Sequence, residues 1–216
     1  MNRVPAFEIT DPGAIAGLIR DLAFAQVVTR GADGFVASSV PLLLDEPEDG
    51  PWRLRGHLAR SNPQAKIGDA SVPALALFIG PHAYVSPSTY TTKAETGKVV
   101  PTWNYVEVHL HGTMRLTDHA DRTLAAVRDL TDAHEAHRAE PWRVADAPDG
   151  YVDGLARGIV AFEVEVERLE AKAKLSQNKP EGDRAGVIED LAVGTGQGPE
   201  VARLMQSARR VRPRDG

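Results

Sequence analysis

Alternation of apolar and polar residues with a period of two dominates the chain. It is longest over residues 103–117, where Val106, Val108, Leu110, Met114 and Leu116 fall on one side and Trp103, Tyr105, Glu107, His109 and His111 on the other. One face of such a strand is core; the other is aromatic and polar near Trp103. A second alternation covers residues 159–169, with Val160, Phe162, Val164 and Val166 inward and Glu163, Glu165 and Glu167 forming an acidic, solvated face. Residues 52–58 alternate as a further strand. The Val- and Leu-rich segments 25–29 and 35–44, separated by Gly31-Ala32-Asp33-Gly34, predict a β-hairpin, and Pro41 assigns its second strand to an edge or a bulge. Residues 73–79 are a continuous apolar run of buried-strand length. Gly80-Pro81 predicts a break there before a separate strand at 82–85, the two making another antiparallel pair.

Helical spacing occurs in fewer places. Asp11-Pro12 offers a cap and a first-turn proline, and Ile15, Leu18, Ile19 and Leu22 follow on one face. Asn62-Pro63 opens a short helix with Ser61 or Asn62 as its cap. Asp118 is expected to cap a helix over residues 120–138 with Leu124, Val127 and Leu130 inward, and further helices are expected near 151–157, 183–191 and 199–210. Six or more strands without regular β-α-β alternation predict a mainly β fold with peripheral helices (α+β), an antiparallel β-barrel. The expected organisation is one domain over residues 1–193, then a flexible Gly-rich linker and a basic C-terminal helix or tail over residues 194–216.

Composition narrows the function classes. The chain has 216 residues, 42% of them hydrophobic, which is enough for a substantial core. The absence of cysteine excludes disulfides, thiolate metal sites and a Cys nucleophile, and points to a cytoplasmic location. No run approaches the roughly 18 apolar residues of a membrane span, so no membrane partner is expected. A net charge of −5 argues against a broad footprint for nucleic acid. Only the end is locally basic, with Arg203, Arg209, Arg210, Arg212 and Arg214, a cluster that suits phosphates, an acidic partner or plain solvent.

Candidate chemistry concentrates between residues 78 and 112. His82-Ala83-Tyr84-Val85-Ser86 and Pro101-Thr102-Trp103-Asn104-Tyr105 place rings and hydrogen-bonding groups at strand ends, and the later run Lys172-Ala173-Lys174-Leu175-Ser176-Gln177-Asn178 has the same character. With Gly56-His57-Leu58-Ala59-Arg60-Ser61-Asn62-Pro63 these segments suit one planar anionic ligand. Arg60, Ser61 and Asn62 offer donors for a phosphate, Trp103 and Tyr84 an aromatic wall, and Asn104, Gln177 and Asn178 partners for a polar ring edge, with Lys174 adding charge. FMN meets this description, and so does another aromatic phosphate. A rival reading from a different class is a metal site at His109-Leu110-His111 or His134-Glu135-Ala136-His137, although the helix pair lacks the zinc-protease spacing. No Gly-x-Ser-x-Gly elbow is present, and the glycines from Gly194 to Gly198 do not follow a strand.

Several strings in order resemble the PaiB-like FMN-binding negative transcriptional regulators. They are Val40-Pro41-Leu42-Leu43-Leu44-Asp45, Gly56-His57-Leu58-Ala59-Arg60-Ser61-Asn62-Pro63-Gln64, Gly80-Pro81-His82-Ala83-Tyr84-Val85-Ser86-Pro87-Ser88, Val100-Pro101-Thr102-Trp103-Asn104-Tyr105, Leu130-Thr131 with His134-Glu135, and Lys174-Leu175-Ser176-Gln177-Asn178. Together they span the chain from about Val4 to Leu191. The resemblance implies an FMN-binding split β-barrel working as a homodimer with flavin at the subunit interface. It implies a regulatory role with a DNA or protein partner, or else a flavin-dependent oxidoreductase of the flavin-reductase or pyridoxamine-phosphate-oxidase kind; a metal- or heme-binding split barrel is a more distant option. Carried onto this sequence, it makes His57, Arg60, Ser61 and Asn62 contacts to the flavin phosphate or ribityl chain. Trp103, Asn104, Lys174, Ser176, Gln177 and Asn178 would lie near the ring or the facing subunit. Thr89 and Ala173 stand where the family favours tryptophan, and Asn2-Arg3 replaces an aromatic start. The first two departures imply a wider pocket, able to admit a deazaflavin-like or tetrapyrrole-like ring.

Overall fold

The computed structural model describes residues 1–31, 34–67, 71–117 and 119–210. The turn residues Ala32 and Asp33, the expected cap Asp118, and Arg212 and Arg214 therefore lie outside the described residues. In chain order the elements are β1 (Glu8–Ile9), α1 (Pro12–Leu22), β2 (Phe24–Gly31), β3 (Gly34–Pro41), β4 (Leu43–Asp45), β5 (Arg53–Ala59) and β6 (Val72–Val85). They continue with α2 (Thr92–Thr96), β7 (Thr102–Thr117), α3 (Ala120–Glu135), α4 (Tyr151–Ala156), β8 (Ile159–Lys174), α5 (Glu181–Val193) and α6 (Gly198–Arg210). The strand order β3-β2-β6-β7-β8-β5-β4 is an open path, with β1 added against β8. Strand β2 pairs antiparallel with β3 and β6, β5 with β4 and β8, and β1 with β8. The expected edge position of Pro41 is met, since β3 ends the order and Pro41 ends β3, where a missing N–H costs no ladder bond.

The expected pair of strands at 73–79 and 82–85 is instead the single strand β6. Gly80 and Pro81 do not end it. They shift the phase of its alternation, so that the buried positions are Ala74, Ala76 and Phe78 before them and Ala83 and Val85 after. One inserted residue in a ladder has that effect, and a bulge tolerates the proline's missing donor. In α3 the buried stripe is Thr123, Ala126 and Leu130 rather than Leu124, Val127 and Leu130, a rotation of the helix that puts a hydroxyl inward. Strand β8 also runs five residues past the legible alternation, to Lys174.

The chain divides into two compact units, and β6, β7 and β8 each pass from one to the other. The first contains Met1–Ile15, Ile79–Val108 and Glu170–Gly216. Its core includes Ala83, Val85, Val106 and Val108 from the strands and Val187, Leu191, Val201 and Met205 from α5 and α6, which pack together. Gly194 N donates to Leu191 O and Gly198 N to Thr195 O, so the glycine-rich connection between these helices is internally hydrogen-bonded. Gly186 lets α5 approach the 87–89 turn; a Cβ there would stand 2.2 Å from Thr89 O.

The second unit contains Ala16–Phe78 and His109–Leu169. Val27, Leu54, Leu58, Phe78, Leu110, Met114, Phe162 and Val164 fill its core, and each large apolar side chain removed from water contributes roughly 1.5–3 kcal/mol. Helix α3 packs against β5. The link is ionic: Arg55 on β5 grips both carboxylate oxygens of Asp45 and donates from Nη1 to Asp129 on α3 at 2.6 Å. Hydrogen bonding to Asp45 raises the Arg55 pKa further above its ordinary value, against the opposing effect of burial. Within this unit, a Cβ on Gly112 of β7 would lie 1.9 Å from Glu165 O of β8, so glycine is what permits the two backbones to come so close.

Candidate functional site

Six of the ten expected site residues belong to the first unit, at the start of β7 and the end of β8. The alternation of β7 turns Asn104 inward and Trp103 outward. Asn104 is 0% exposed. Its Nδ2 donates to Ser176 Oγ at 3.0 Å and to Met205 Sδ at 3.4 Å, and the Ser176 hydroxyl lies 3.2 Å from Asn104 Oδ1. A buried amide left without partners would cost about 1–3 kcal/mol, so the exchange with Ser176 sets the spacing of the β7 and β8 ends. Ser176 reaches it with φ at +60, a left-handed conformation unusual for a residue with a Cβ. Gln177 closes the same strand end on itself, its Oε1 accepting from Leu175 N at 2.7 Å and its Nε2 donating to Ala173 O. Asn178 is exposed.

Lys174 donates to Thr102 Oγ1 and, at 3.0 Å, to Trp103 O. Burial lowers its pKa, and repulsion from Lys172 and Lys179 lowers it further. Lys172 is itself buried, with Nζ donating to Asn2 O at 3.2 Å and lying 5.2 Å from the centre of the Tyr105 ring. Lys174 thus stands in the field of two further cations, of which Lys179 also faces the Asp183 carboxylate, a setting that favours an electron-rich ligand edge at Lys174. Next to them is an open aromatic surface. Trp103 is 52% and Tyr84 50% exposed, with ring centres 6.0 Å apart in an edge-to-face arrangement, and His82 stands 6.1 Å from Trp103 on a tilted plane. Rings at these separations gain from one another's quadrupoles while keeping a face to offer.

His57, Arg60, Ser61 and Asn62 belong to the second unit. His57 is half-buried on β5; burial lowers its pKa, and its Nδ1 has no hydrogen-bond partner among the described residues. Arg60 donates from Nε to Arg157 O at 2.9 Å. Asn62 is a cap, as one of its sequence readings had it. Its Oδ1 accepts from Gln64 N at 2.9 Å, while its Nδ2 donates to Ser38 Oγ at 2.8 Å and so ties the turn to β3. The helix it caps is a single five-residue 3-10 segment, Pro63–Ile67, too short to carry an appreciable dipole. Ser61 is exposed.

The structure thus brings Trp103, Asn104, Lys174, Ser176 and Gln177 together in one unit and Arg60 and Asn62, with their supports, in the other. Sequence reasoning missed Asp183, Met205, Thr123 and Arg157. Met205 had a legible signal, the spacing Val201, Ala202, Met205 on one face of α6. Asp183 had none, because its partners are about ninety residues away in sequence: it accepts from Thr91 Oγ1, Thr92 N and Thr92 Oγ1 at 2.8–3.0 Å.

A mostly antiparallel sheet on an open path with peripheral helices places the fold in the split β-barrel class. The sequence profile of the family described as "Putative FMN-binding domain" matches residues 1–168, and the chain belongs to that family. It is 32% identical over 185 residues to the protease synthase and sporulation protein PAI 2 of Bacillus subtilis, covering 86% of both chains. An uncharacterized protein of Emericella nidulans is 37% identical over 202 residues, with 79% of this chain and 80% of that one covered. Among solved structures, the FAD and heme binding protein of Mycobacterium smegmatis superposes with a TM-score of 0.56 at 15% identity, over 77% of this chain and 73% of that one, a likeness of fold alone.

Proposed function

We propose that this protein binds FMN as a homodimer and that flavin occupancy governs a regulatory output. The observation that carries the reading is the open Trp103–Tyr84–His82 surface beside the Lys174 ammonium. A flat, electron-poor ring fits against exposed aromatic faces, and a cation near the strand end suits the anionic edge that such a ring develops on reduction. When bound, FMN supplies a ring that accepts and returns a hydride or single electrons. Membership of the FMN-binding family supports the cofactor, and the sporulation-linked name of the Bacillus subtilis relative supports an output other than turnover. Arg60 is assigned to the flavin phosphate on the family resemblance.

The test is a titration of the purified full chain with FMN, followed by flavin fluorescence and the visible spectrum. Saturable uptake is expected. Trp103→Ala should weaken it by about 0.5–1.5 kcal/mol, the scale of an aromatic contact, and Arg60→Ala by about 1.5–3 kcal/mol, the scale of a hydrogen bond to a charged group. No uptake by the unmodified protein overturns the cofactor assignment. Steady consumption of NAD(P)H in the presence of FMN and an acceptor would replace the regulatory output with catalysis.

A further inference from the structure

The second unit contains a cavity of about 400 Å³ lined by Arg60, Ala120, Thr123, Leu124, Asp153, Ala156 and Arg157. That volume is within the range of roughly 300–1,000 Å³ typical of small-molecule sites. Three independent features of its wall favour an anion. Among the described residues that line it, Arg60 and Arg157 carry guanidinium groups and Asp153 a carboxylate. The first turn of the sixteen-residue helix α3 opens onto it at Ala120, and the N-cap residue His119 makes no side-chain bond to that turn. Most telling is Thr123, which is 2% exposed and lines the cavity. Its hydroxyl has no hydrogen-bond partner among the described residues. A threonine in a helix can return its hydroxyl to the carbonyl four residues back, as Thr131 does to Val127 O in the same helix; Thr123 makes no such bond to His119 O, which its backbone N–H engages in the ordinary helical way. Buried hydroxyls without partners are costly and uncommon.

We infer that Thr123, Arg157, Arg60 and the first turn of α3 form a binding site for a phosphate-class anion. Thr123 Oγ1 and the α3 N–H groups donate to it, and the guanidinium groups neutralise it. The Arg60 Nε bond to Arg157 O fixes the end of one guanidinium arm at the cavity wall before any ligand arrives. The inference shares Arg60 with the flavin reading. The phosphate can therefore be the terminal group of a flavin or a free phosphate monoester, and the chemistry recognised is the same.

The experiment separates these sources. Full-length protein is titrated with inorganic phosphate at constant ionic strength against a chloride control, by isothermal calorimetry, and separately with FMN and with riboflavin by fluorescence. The variants are Thr123→Val, which removes only the hydroxyl, Thr123→Ser, which keeps it, and Arg157→Gln, which leaves the Arg157 carbonyl in place. Circular dichroism checks that each is folded. Phosphate binding is expected to fall about tenfold in Thr123→Val and in Arg157→Gln and to persist in Thr123→Ser. If FMN weakens in parallel while riboflavin does not, the bound anion is the flavin's own phosphate. If FMN is unchanged, the anion is a separate ligand, and this arm reads out even for a chain that takes up no flavin. Phosphate that binds no better than chloride, or binds equally to the parent, Thr123→Val and Arg157→Gln, overturns the proposal.

Discussion

Single residues decide more here than their local sequence reveals, and Asp183 is the clearest case. It is 2% exposed, and burial alone would push its pKa up, but the hydrogen bonds from Thr92 and Thr91 outweigh burial and hold the carboxyl below its ordinary value. A depressed folded-state pKa means that this stabilisation is fully present above the unfolded value of 3.8 and is lost as pH falls through the folded value. Asp183→Ala is expected to lose about 2–3 kcal/mol at neutral pH, because three donors lose a charged acceptor. The difference from the parent should shrink in urea melts run below pH 3.8. Equal stability at neutral pH would show that Thr91 and Thr92 find water instead. None of this could be read from the string Glu181-Gly182-Asp183, which looks like an ordinary acidic first turn. The exposure of Trp103, in contrast, was legible, since a tryptophan on the polar side of an alternating strand faces away from the core.

Elements were legible where one face is core and the other is not. The alternation of β7 predicts its buried set from Val106 to Met114, and the edge position of β3 follows from proline's missing donor, whereas the strand expected over 35–44 divides after Pro41 into β3 and β4, which pair with different strands. Legibility failed at β6, because a Gly-Pro pair signals a turn in most contexts and only the pairing partners on either side decide that the strand continues. It failed again at the end of β8, where Lys172 is buried among residues supplied by the chain terminus and β7. Helix α6 extends the argument to energetics. Its residues Val201, Ala202 and Met205 are buried, and Met205 completes the coordination of the Asn104 amide. Met205→Ala is therefore expected to cost about 2–4 kcal/mol, from lost packing and from a less satisfied amide. Met205→Leu, which conserves volume, should cost less than about 1.5 kcal/mol. A Met205→Ala variant within about 0.5 kcal/mol of the parent, measured by chemical denaturation, would mean that α6 contributes no packing there.

The molecule as a whole carries a net charge of −5 and a calculated isoelectric point near 5.8, and among its described residues no helix is long and apolar enough to cross a membrane. Charge of this sign limits how a regulatory output can be delivered. Sequence-independent affinity for DNA comes from neutralising phosphates and releasing counterions, and a chain with more acids than bases repels the duplex everywhere except at a local basic patch. The proposed output is better served by a protein partner. In keeping with this, Ile79, Tyr84 and Trp103 of the first unit present large apolar or aromatic side chains to solvent, residue types that interfaces between subunits enrich. Two measurements on the full chain follow from these considerations. Light scattering after size exclusion is expected to give twice the monomer mass of 23.3 kDa, and Trp103→Glu should shift that value toward one chain by placing a charge in the contact. Fluorescence anisotropy with a labelled mixed-sequence duplex is expected to show no saturable binding at physiological salt, with only weak binding emerging as salt is lowered. Tight, salt-resistant binding to such a duplex would assign the output to direct DNA contact despite the charge. A monomer at all accessible concentrations, with and without FMN, would remove the partner subunit from the proposal and leave the exposed Trp103 face to the ligand alone.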